Sequence, residues 1–188
     1  MGGAYSWAHV LQDAHACAAW MRSPAFTAAH GDGDLHALIG HSLGGFAALQ
    51  AGVAVPTAKV VSIAGYNFGA AASRERANPG AREALGRDWE PATMPLAGTS
   101  GRALAEEAIG CPEEWNLDRL GCRYAGRHIL LVSALRDEIA PPSVHHDPLV
   151  ASFTDAGVNV SAECLDTDHS LASARTRLCD VVCRWLIA

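Results

Sequence analysis

The sequence predicts an α/β protein in which a mainly parallel sheet is flanked by helices. Four short apolar runs of the kind that forms buried strands alternate with segments whose apolar residues recur at helical spacing. Because parallel strands need long crossover connections, this alternation favours a parallel sheet. The chain has 188 residues, 49% of them hydrophobic, which is enough to bury such a sheet.

The first predicted element is a helix over residues 7–21, whose apolar side chains lie three or four positions apart and which Pro24 ends. A polar turn then leads into the first predicted strand, Leu35–Ile39, and a glycine-rich turn joins that strand to an alanine-rich helix. The remaining predicted strands are Lys59–Gly65, His128–Ser133 and Val158–Cys164, the last of them followed by another helix.

Residues 66–126 interrupt this rhythm and contain only short helical pieces such as Gly101–Ile109. An insertion of this length inside a compact domain is typical of a lid or a binding segment. We therefore expect residues 1–188 to form a single domain with 66–126 as a cap insertion. Trp89 and Trp115 in this segment either anchor it to the core, which we favour, or cover a pocket.

Composition excludes several function classes. The net charge is −6 and no cluster of Lys or Arg is present, which argues against nucleic acid and anionic membranes as partners. The sequence shows neither a signal peptide nor an apolar run long enough to cross a membrane. We expect a soluble cytoplasmic protein that acts on small molecules.

The six cysteines include no Cys-x-x-Cys pair, which argues against structural zinc and favours reduced thiols packed in the core. Cys179 and Cys183 lie four positions apart on a predicted helix, and we interpret them as packing residues as well. The run His145-His146-Asp147 resembles a metal site, but neighbouring side chains on a helix point in different directions. No metal is therefore expected.

The segment Gly40-His41-Ser42-Leu43-Gly44 fits the pattern G-x-S-x-G, in which a sharp strand-to-helix turn lifts a serine clear of a sheet. A predicted strand precedes this segment and a predicted helix follows it, as the motif requires. A serine nucleophile also needs a base within hydrogen-bond reach and a carboxylate to orient that base. The alternative is that Ser42 only caps the helix that it begins.

Candidates for the base and the carboxylate follow later strands. Asp137 comes after the third predicted strand and His169 after the fourth, at the end of a parallel sheet where catalytic groups gather. The chain order Ser, Asp, His is the one expected for such a serine turn. Alternatively, Asp137 or its neighbour Glu138 is a solvated loop charge or a helix cap, and His169 is an ordinary surface residue.

Three segments of the chain, GHSLGG, DEIAPP and DHSL, resemble the α/β-hydrolase superfamily, most of all its dienelactone hydrolase and prolyl-oligopeptidase-like branches. The resemblance covers nearly all of the chain outside residues 66–110. It implies Ser42 as nucleophile, Asp137 as acid and His169 as general base. It further implies the amide of Leu43 as an oxyanion donor. His41, at the variable position of the motif, is expected to pack against or line the site and not to act as the base. No metal or organic cofactor is expected.

The resemblance also implies that the strands before the nucleophile strand are missing, together with the loop that supplies the second oxyanion donor. Leu35–Ile39 would then be an edge strand, whose unpaired backbone groups invite a partner chain or a second copy. Three explanations stay open. The chain is a fragment of a longer gene, which we favour; its edge is covered by another chain; or it is a reduced fold that has lost catalysis.

These observations lead to a hypothesis and two alternatives. The leading hypothesis is a serine hydrolase that cleaves a carboxylic ester, or in second place a peptide or amide, through an acyl-enzyme. The first alternative is a catalytically weak or silent module that keeps the serine turn for architecture and binds a partner. The second is acyl transfer to a bound alcohol or thiol, which uses the same residues.

Overall fold

The computed structural model describes residues 3–31, 36–76, 78, 80–111 and 113–188. Within these residues, four strands form one all-parallel sheet in the order β1-β2-β3-β4, which confirms the predicted fold class. The strands are Ala37–His41 (β1), Lys59–Ile63 (β2), His128–Ala134 (β3) and Asn159–Leu165 (β4). The helices are Trp7–Met21 (α1), Pro24–His30 (α2), Leu43–Gly52 (α3), Phe68–Glu75 (α4), Ala81–Trp89 (α5), Gly101–Ile109 (α6), Pro142–His145 (α7), Asp147–Asp155 (α8) and Arg175–Ile187 (α9).

The first strand differs most from its prediction. We predicted Leu35–Ile39, but β1 runs on to His41, and Leu35 lies outside the described residues. The two extra residues join the strand because β1 pairs with β2 in register as far as His41 opposite Ile63. Pairing with a neighbour sets the end of this strand, whereas the prediction used hydrophobicity alone. As a result, β1 ends at the residue directly before Ser42.

The helix α1 has the predicted bounds, whereas α2 was not predicted. The Ser23 hydroxyl accepts a hydrogen bond from the Phe26 amide, and Pro24 occupies the first helical position. Proline is well suited to that position because its fixed φ is already helical. Pro24 therefore begins a second helix in addition to ending the first. None of the described helices is both long and apolar enough to cross a lipid bilayer.

Helices cover both faces of the sheet. Val60 of β2 packs on one face against Phe46 and Leu49 of α3. The next residue, Val61, packs on the opposite face against Trp185 of α9. Successive side chains of a strand point to opposite faces, so the continuous apolar run of β2 is what a strand buried on both sides requires.

The strand β1 lies at one edge of the sheet formed by the described residues, as predicted. The Ile39 side chain of this strand is 49% exposed, because α9 covers its neighbours in β2 but not β1 itself. The strand β4 lies at the opposite edge. The two edges therefore belong to the two strands that precede Ser42 and His169.

The segment 66–126 contains α4, α5 and α6, and α6 has the predicted bounds. Its two tryptophans point into an aromatic cluster beneath it. The ring of Trp115 is buried 5.8 Å from that of Phe46, and the half-buried ring of Trp89 lies 5.4 Å from that of Trp7. Both tryptophans therefore anchor the segment to the core, as favoured from the sequence.

The cysteines correct one prediction. All six are free, and only Cys111 is buried, whereas Cys17, Cys122, Cys164, Cys179 and Cys183 are exposed. The helix α9 packs on the core through its apolar residues, so its two thiols lie on the solvent side, with 4.0 Å between their sulfur atoms. The packing role that we expected for these two cysteines is wrong, as is the core position that we expected for Cys17, Cys122 and Cys164.

Candidate active site

Ser42 lies on a strained turn between β1 and α3. Its backbone has φ 56° and ψ −119°, a region that residues other than glycine rarely adopt and that costs about 1–3 kcal/mol. Two backbone bonds hold this conformation: the Ser42 amide donates to the Ile63 carbonyl at 2.9 Å, and the Ser42 carbonyl accepts from the Tyr66 amide at 3.2 Å. The predicted strand, sharp turn and helix are therefore present.

Two glycines allow this turn to pack closely, and only one of them belongs to the G-x-S-x-G motif. A Cβ atom at Gly40 would collide with the backbone of Gly44. A Cβ atom at Gly45 would lie 2.7 Å from the Ser62 hydroxyl and 3.0 Å from the Cα atom of Gly65. A Cβ atom at Gly44 would meet nothing within 4 Å. The steric requirement therefore falls on Gly40 and Gly45.

The Ser42 side chain makes no capping hydrogen bond to α3, so the alternative that it serves only as a helix cap is not supported. Leu43 begins the helix, and the amides of a first helical turn have no acceptor inside the helix. The amide of Leu43 therefore lies beside Ser42 as a donor available to an anion.

Asp137 lies in the loop after β3, with its side chain fully buried. One carboxylate oxygen accepts a hydrogen bond from Nδ1 of His169 at 2.7 Å. The other oxygen accepts from the amides of Ile139 at 2.9 Å and Ala140 at 2.7 Å. The neighbouring Glu138 is exposed. Asp137 is thus the carboxylate that meets the histidine, and the alternative of a solvated loop charge is wrong for it.

His169 lies in the loop after β4, and its side chain is 15% exposed. Because the Nδ1–H group donates a hydrogen bond to Asp137, the neutral ring carries its lone pair on Nε2, which is the nitrogen that can accept a proton. Among the described residues, no hydrogen bond joins this imidazole to the Ser42 hydroxyl. Such bonds are often long in structures without substrate and tighten when substrate binds.

The loop of His169 nevertheless reaches the serine turn. Nε2 of His41, the residue before Ser42, donates to the backbone carbonyl of His169 at 2.8 Å. The two histidine rings lie 4.8 Å apart. The structure thus brings Asp137 and His169 into direct contact and places the His169 loop against the residue that precedes the candidate nucleophile.

A buried polar network beside the site was not predicted. The backbone N–H of Asn67 donates to Nδ1 of His145 at 2.9 Å, and the side-chain amide of Asn67 donates to the Asp118 carboxylate at 3.0 Å. The Tyr66 ring packs on the His145 ring at 4.4 Å. Tyr66 and Asn67 lie three and four residues beyond the end of β2. Two polar residues near that end of a parallel strand were the signal available in the sequence.

Burial sets the protonation of this network. It lowers the pKa of His145 from 6.5 to about 4, with the Asp137 carboxylate opposing the shift. It raises the pKa of Tyr66 from 10.0 to about 12 and raises the pKa of Asp118, against the hydrogen bond from Asn67. His145 is therefore neutral at neutral pH, with its proton on Nε2.

The candidate metal residues do not converge on one point. The buried ring of His145 uses Nδ1 to accept from Asn67, while Nδ1 of His146 faces the Asp147 carboxylate at 3.1 Å. Within the described ranges, no group of three or more His, Cys, Asp or Glu side chains could hold a metal ion.

No protein-family model matches the chain, and a search of functionally characterised proteins returns no match. Solved structures do match. The chain superposes on an esterase from Pyrococcus furiosus with a TM-score of 0.63 and 14% identity, covering 94% of this chain and 60% of that one. The chain has an α/β-hydrolase fold.

Two further structures show the same fold. Acetyl xylan esterase 1 from Thermoanaerobacterium gives a TM-score of 0.56 and 19% identity, covering 96% of this chain and 53% of that one. Dipeptidyl peptidase 4 from Porphyromonas gingivalis gives a TM-score of 0.53 and 13% identity, and the match covers 80% of this chain and 19% of that one. The chain spans less than two thirds of each of these three proteins, so it covers only part of the fold. The fold implied by the sequence resemblance is confirmed.

Proposed function

We propose that this protein is a serine hydrolase that cleaves a carboxylic ester through an acyl-enzyme. The observation that carries the proposal is the bond between His169 and the buried carboxylate of Asp137, made in a loop that also contacts the strained turn bearing Ser42. An oriented imidazole beside a strained serine turn is the arrangement that activates a hydroxyl.

In the proposed reaction, the Ser42 oxygen attacks the ester carbonyl while Nε2 of His169 takes the hydroxyl proton. Asp137 holds the ring in the tautomer that leaves Nε2 free and stabilises the imidazolium that forms. The amide of Leu43 donates to the oxyanion. The protonated His169 then gives its proton to the leaving alkoxide, and a water molecule, activated by the same ring, hydrolyses the acyl-serine.

The small number of identified oxyanion donors favours an ester substrate over an amide substrate. The described residues supply one identified oxyanion donor, the Leu43 amide, and loss of the other donor costs about 3–4 kcal/mol of transition-state stabilisation. An ester expels an alkoxide more readily than an amide expels an amine, so an ester tolerates this loss better. The fold itself accommodates both reactions, since the matched structures include two esterases and a peptidase.

A second candidate is a catalytically silent binding module. It is favoured by the missing hydrogen bond between Ser42 and His169 in the described residues and by the partial coverage of the fold. In such a module the strained turn would be kept only to join β1 to α3.

Turnover of p-nitrophenyl acetate and p-nitrophenyl butyrate separates the two candidates. The wild type, His169→Ala and, as a matched control, Glu138→Gln are compared at equal concentration. We expect turnover by the wild type and the control and its loss in His169→Ala. Equal rates in the wild type and His169→Ala would favour the silent module.

A further inference from the structure

The candidate base and nucleophile come from opposite edges of the sheet. His169 follows β4 and Ser42 follows β1, and these are the outer strands of the order β1-β2-β3-β4. Three strand spacings separate the edges, roughly 14 Å. Adjacent strands therefore do not bring the two residues together, so the loop after β4 has to cross the ends of β3 and β2.

Most of the bonds that hold this loop come from the β3 side. The amide of Arg136 donates to the carbonyl of Thr167 at 2.9 Å, and its guanidinium donates to the carbonyl of Asp166 at 3.2 Å. Asp137 then accepts from Nδ1 of His169. These bonds fix the loop relative to the carboxylate, but they do not fix its distance from the serine turn.

One described hydrogen bond connects the loop to the β1 side. Nε2 of His41 donates to the carbonyl of His169 at 2.8 Å, and the His41 ring is tilted by 43° against the His169 ring. His41 is the last residue of β1 and is bonded covalently to Ser42. Its side chain therefore spans the gap between the residue before the nucleophile and the backbone of the base.

We propose that His41 is a positioning residue that holds the His169 imidazole over Ser42. This inference rests on the proposed function. It is more specific than the sequence expectation that His41 packs against or lines the site, because the Nε2–H group of His41 donates to a main-chain carbonyl and is not free for a substrate oxygen. Positioning of this kind acts on the chemical step, since a small displacement of a catalytic group lowers the rate more than it weakens binding.

The test compares variants at position 41 with p-nitrophenyl butyrate as substrate. His41→Leu fills similar space without a donor, whereas His41→Gln offers an amide N–H at similar reach. His36→Leu removes another exposed histidine, just before β1, and serves as the matched control. Because His41 is itself exposed, these variants should fold, which thermal unfolding checks. If His41→Leu does not fold, His41→Asn, whose amide is too short to reach the carbonyl, takes its place.

We expect His41→Leu to lower kcat about tenfold with KM unchanged, as loss of one positioning hydrogen bond would. His41→Gln should recover most of kcat, and His36→Leu should match the wild type. A wild-type kcat in His41→Leu would overturn the proposal. So would a rise in KM alone, which would indicate a substrate contact, or a His41→Gln variant no better than His41→Leu.

Failure of the proposed function gives a different result. In that case the wild type itself shows no turnover, and crystal structures of the wild type and His41→Leu decide the positioning claim. The claim requires His169 to move away from Ser42 in His41→Leu and to keep its place in His41→Gln. An unmoved His169 in His41→Leu would refute it without any reference to activity.

Discussion

The base and the nucleophile of this site are held in place in different ways. On the β3–β4 side, the buried carboxylate of Asp137 holds the base: it accepts one hydrogen bond from His169 and two from the backbone amides of Ile139 and Ala140. On the β1 side, the backbone does: Ser42 takes a positive φ that close packing at Gly40 and Gly45 and two bonds to neighbouring backbone enforce. The first arrangement fixes the tautomer of the His169 ring, and the second fixes the orientation of the Ser42 hydroxyl.

This difference indicates which changes should harm each side. On the base side, chemistry depends on the charge and hydrogen-bonding pattern of one side chain, so isosteric substitutions should be severe for activity and mild for folding. On the nucleophile side, geometry depends on missing Cβ atoms, so substitutions that add a single carbon should be severe for folding. Three predictions test this contrast, and a fourth tests the buried His145 beside the base; the largest expected effect comes first.

Asp137→Asn should lower kcat on the order of 10⁴-fold. An amide keeps the shape of the carboxylate but donates a proton toward Nδ1 of His169, which moves the ring proton to Nε2 and removes the base. Steady-state kinetics with p-nitrophenyl butyrate measures the loss, with Glu138→Gln as control at the exposed neighbour. Similar kcat values for the two variants would show that Asp137 does not orient the base.

Gly40→Ala should destabilise the protein by about 3 kcal/mol or more, because the added Cβ meets packed backbone, and Gly45→Ala by about 1–3 kcal/mol, because its Cβ meets the Ser62 hydroxyl, which can rotate, and the Cα atom of Gly65. Gly44→Ala should be neutral or stabilising by up to about 1 kcal/mol, because its Cβ meets nothing and alanine favours the helix. Urea denaturation of the three variants checks this order. Equal destabilisation at positions 44 and 45 would contradict the packing described for the turn.

His145 should make the folded state sensitive to acid. Its pKa is about 4 when folded and 6.5 in an unfolded reference, so as the pH falls below 6.5 the unfolded chain takes up a proton that the folded chain does not. Stability is therefore lost between pH 6.5 and 4, by at most about 3 kcal/mol. His145→Asn keeps an acceptor for the Asn67 amide but does not titrate.

The free energy of unfolding of the wild type and His145→Asn, measured in urea at several pH values from 7 to 4, isolates this contribution from that of the carboxylates. As the pH falls, the free energy of unfolding of the wild type should decrease relative to that of His145→Asn. A difference that stays constant with pH would contradict a buried, neutral His145.

Ser42→Gly should be more stable than Ser42→Ala by about 1 kcal/mol, because only glycine adopts the positive φ of residue 42 without strain. Both variants lack the hydroxyl, so activity does not enter the comparison. Thermal unfolding gives the difference. An alanine variant as stable as the glycine variant would show that the turn is not strained.

Much of the fold was accessible from the sequence, because local patterns determine it. The alternation of strands with helices predicted the parallel sheet, and the apolar spacing of residues 7–21 predicted α1 with its observed bounds. The end of β1 was missed because pairing with β2 sets it. The helix α2 was missed because it is a short segment that depends on its cap. The cysteines were misplaced because sequence spacing does not show which side of a helix faces solvent.

The site was predictable to a different extent. Motif and chain order singled out Ser42, Asp137 and His169, and the structure joins the last two directly. The position of Asn67 beyond the end of β2 was a signal available in the sequence. Its contacts with His145 and Asp118 were not predictable, since the three residues come from distant segments whose contact depends on tertiary packing. The catalytic assignment stays a prediction, as does the expected partner at the edge of β1.

Covalent labelling with a fluorophosphonate, read by mass spectrometry of peptides, tests the central claim most directly. This reagent phosphonylates a serine whose hydroxyl is activated by a base. The account predicts an adduct on Ser42 in the wild type, none at that position in Ser42→Ala, and much slower labelling in His169→Ala. An unlabelled wild type, or equal labelling of all three folded proteins, would contradict it.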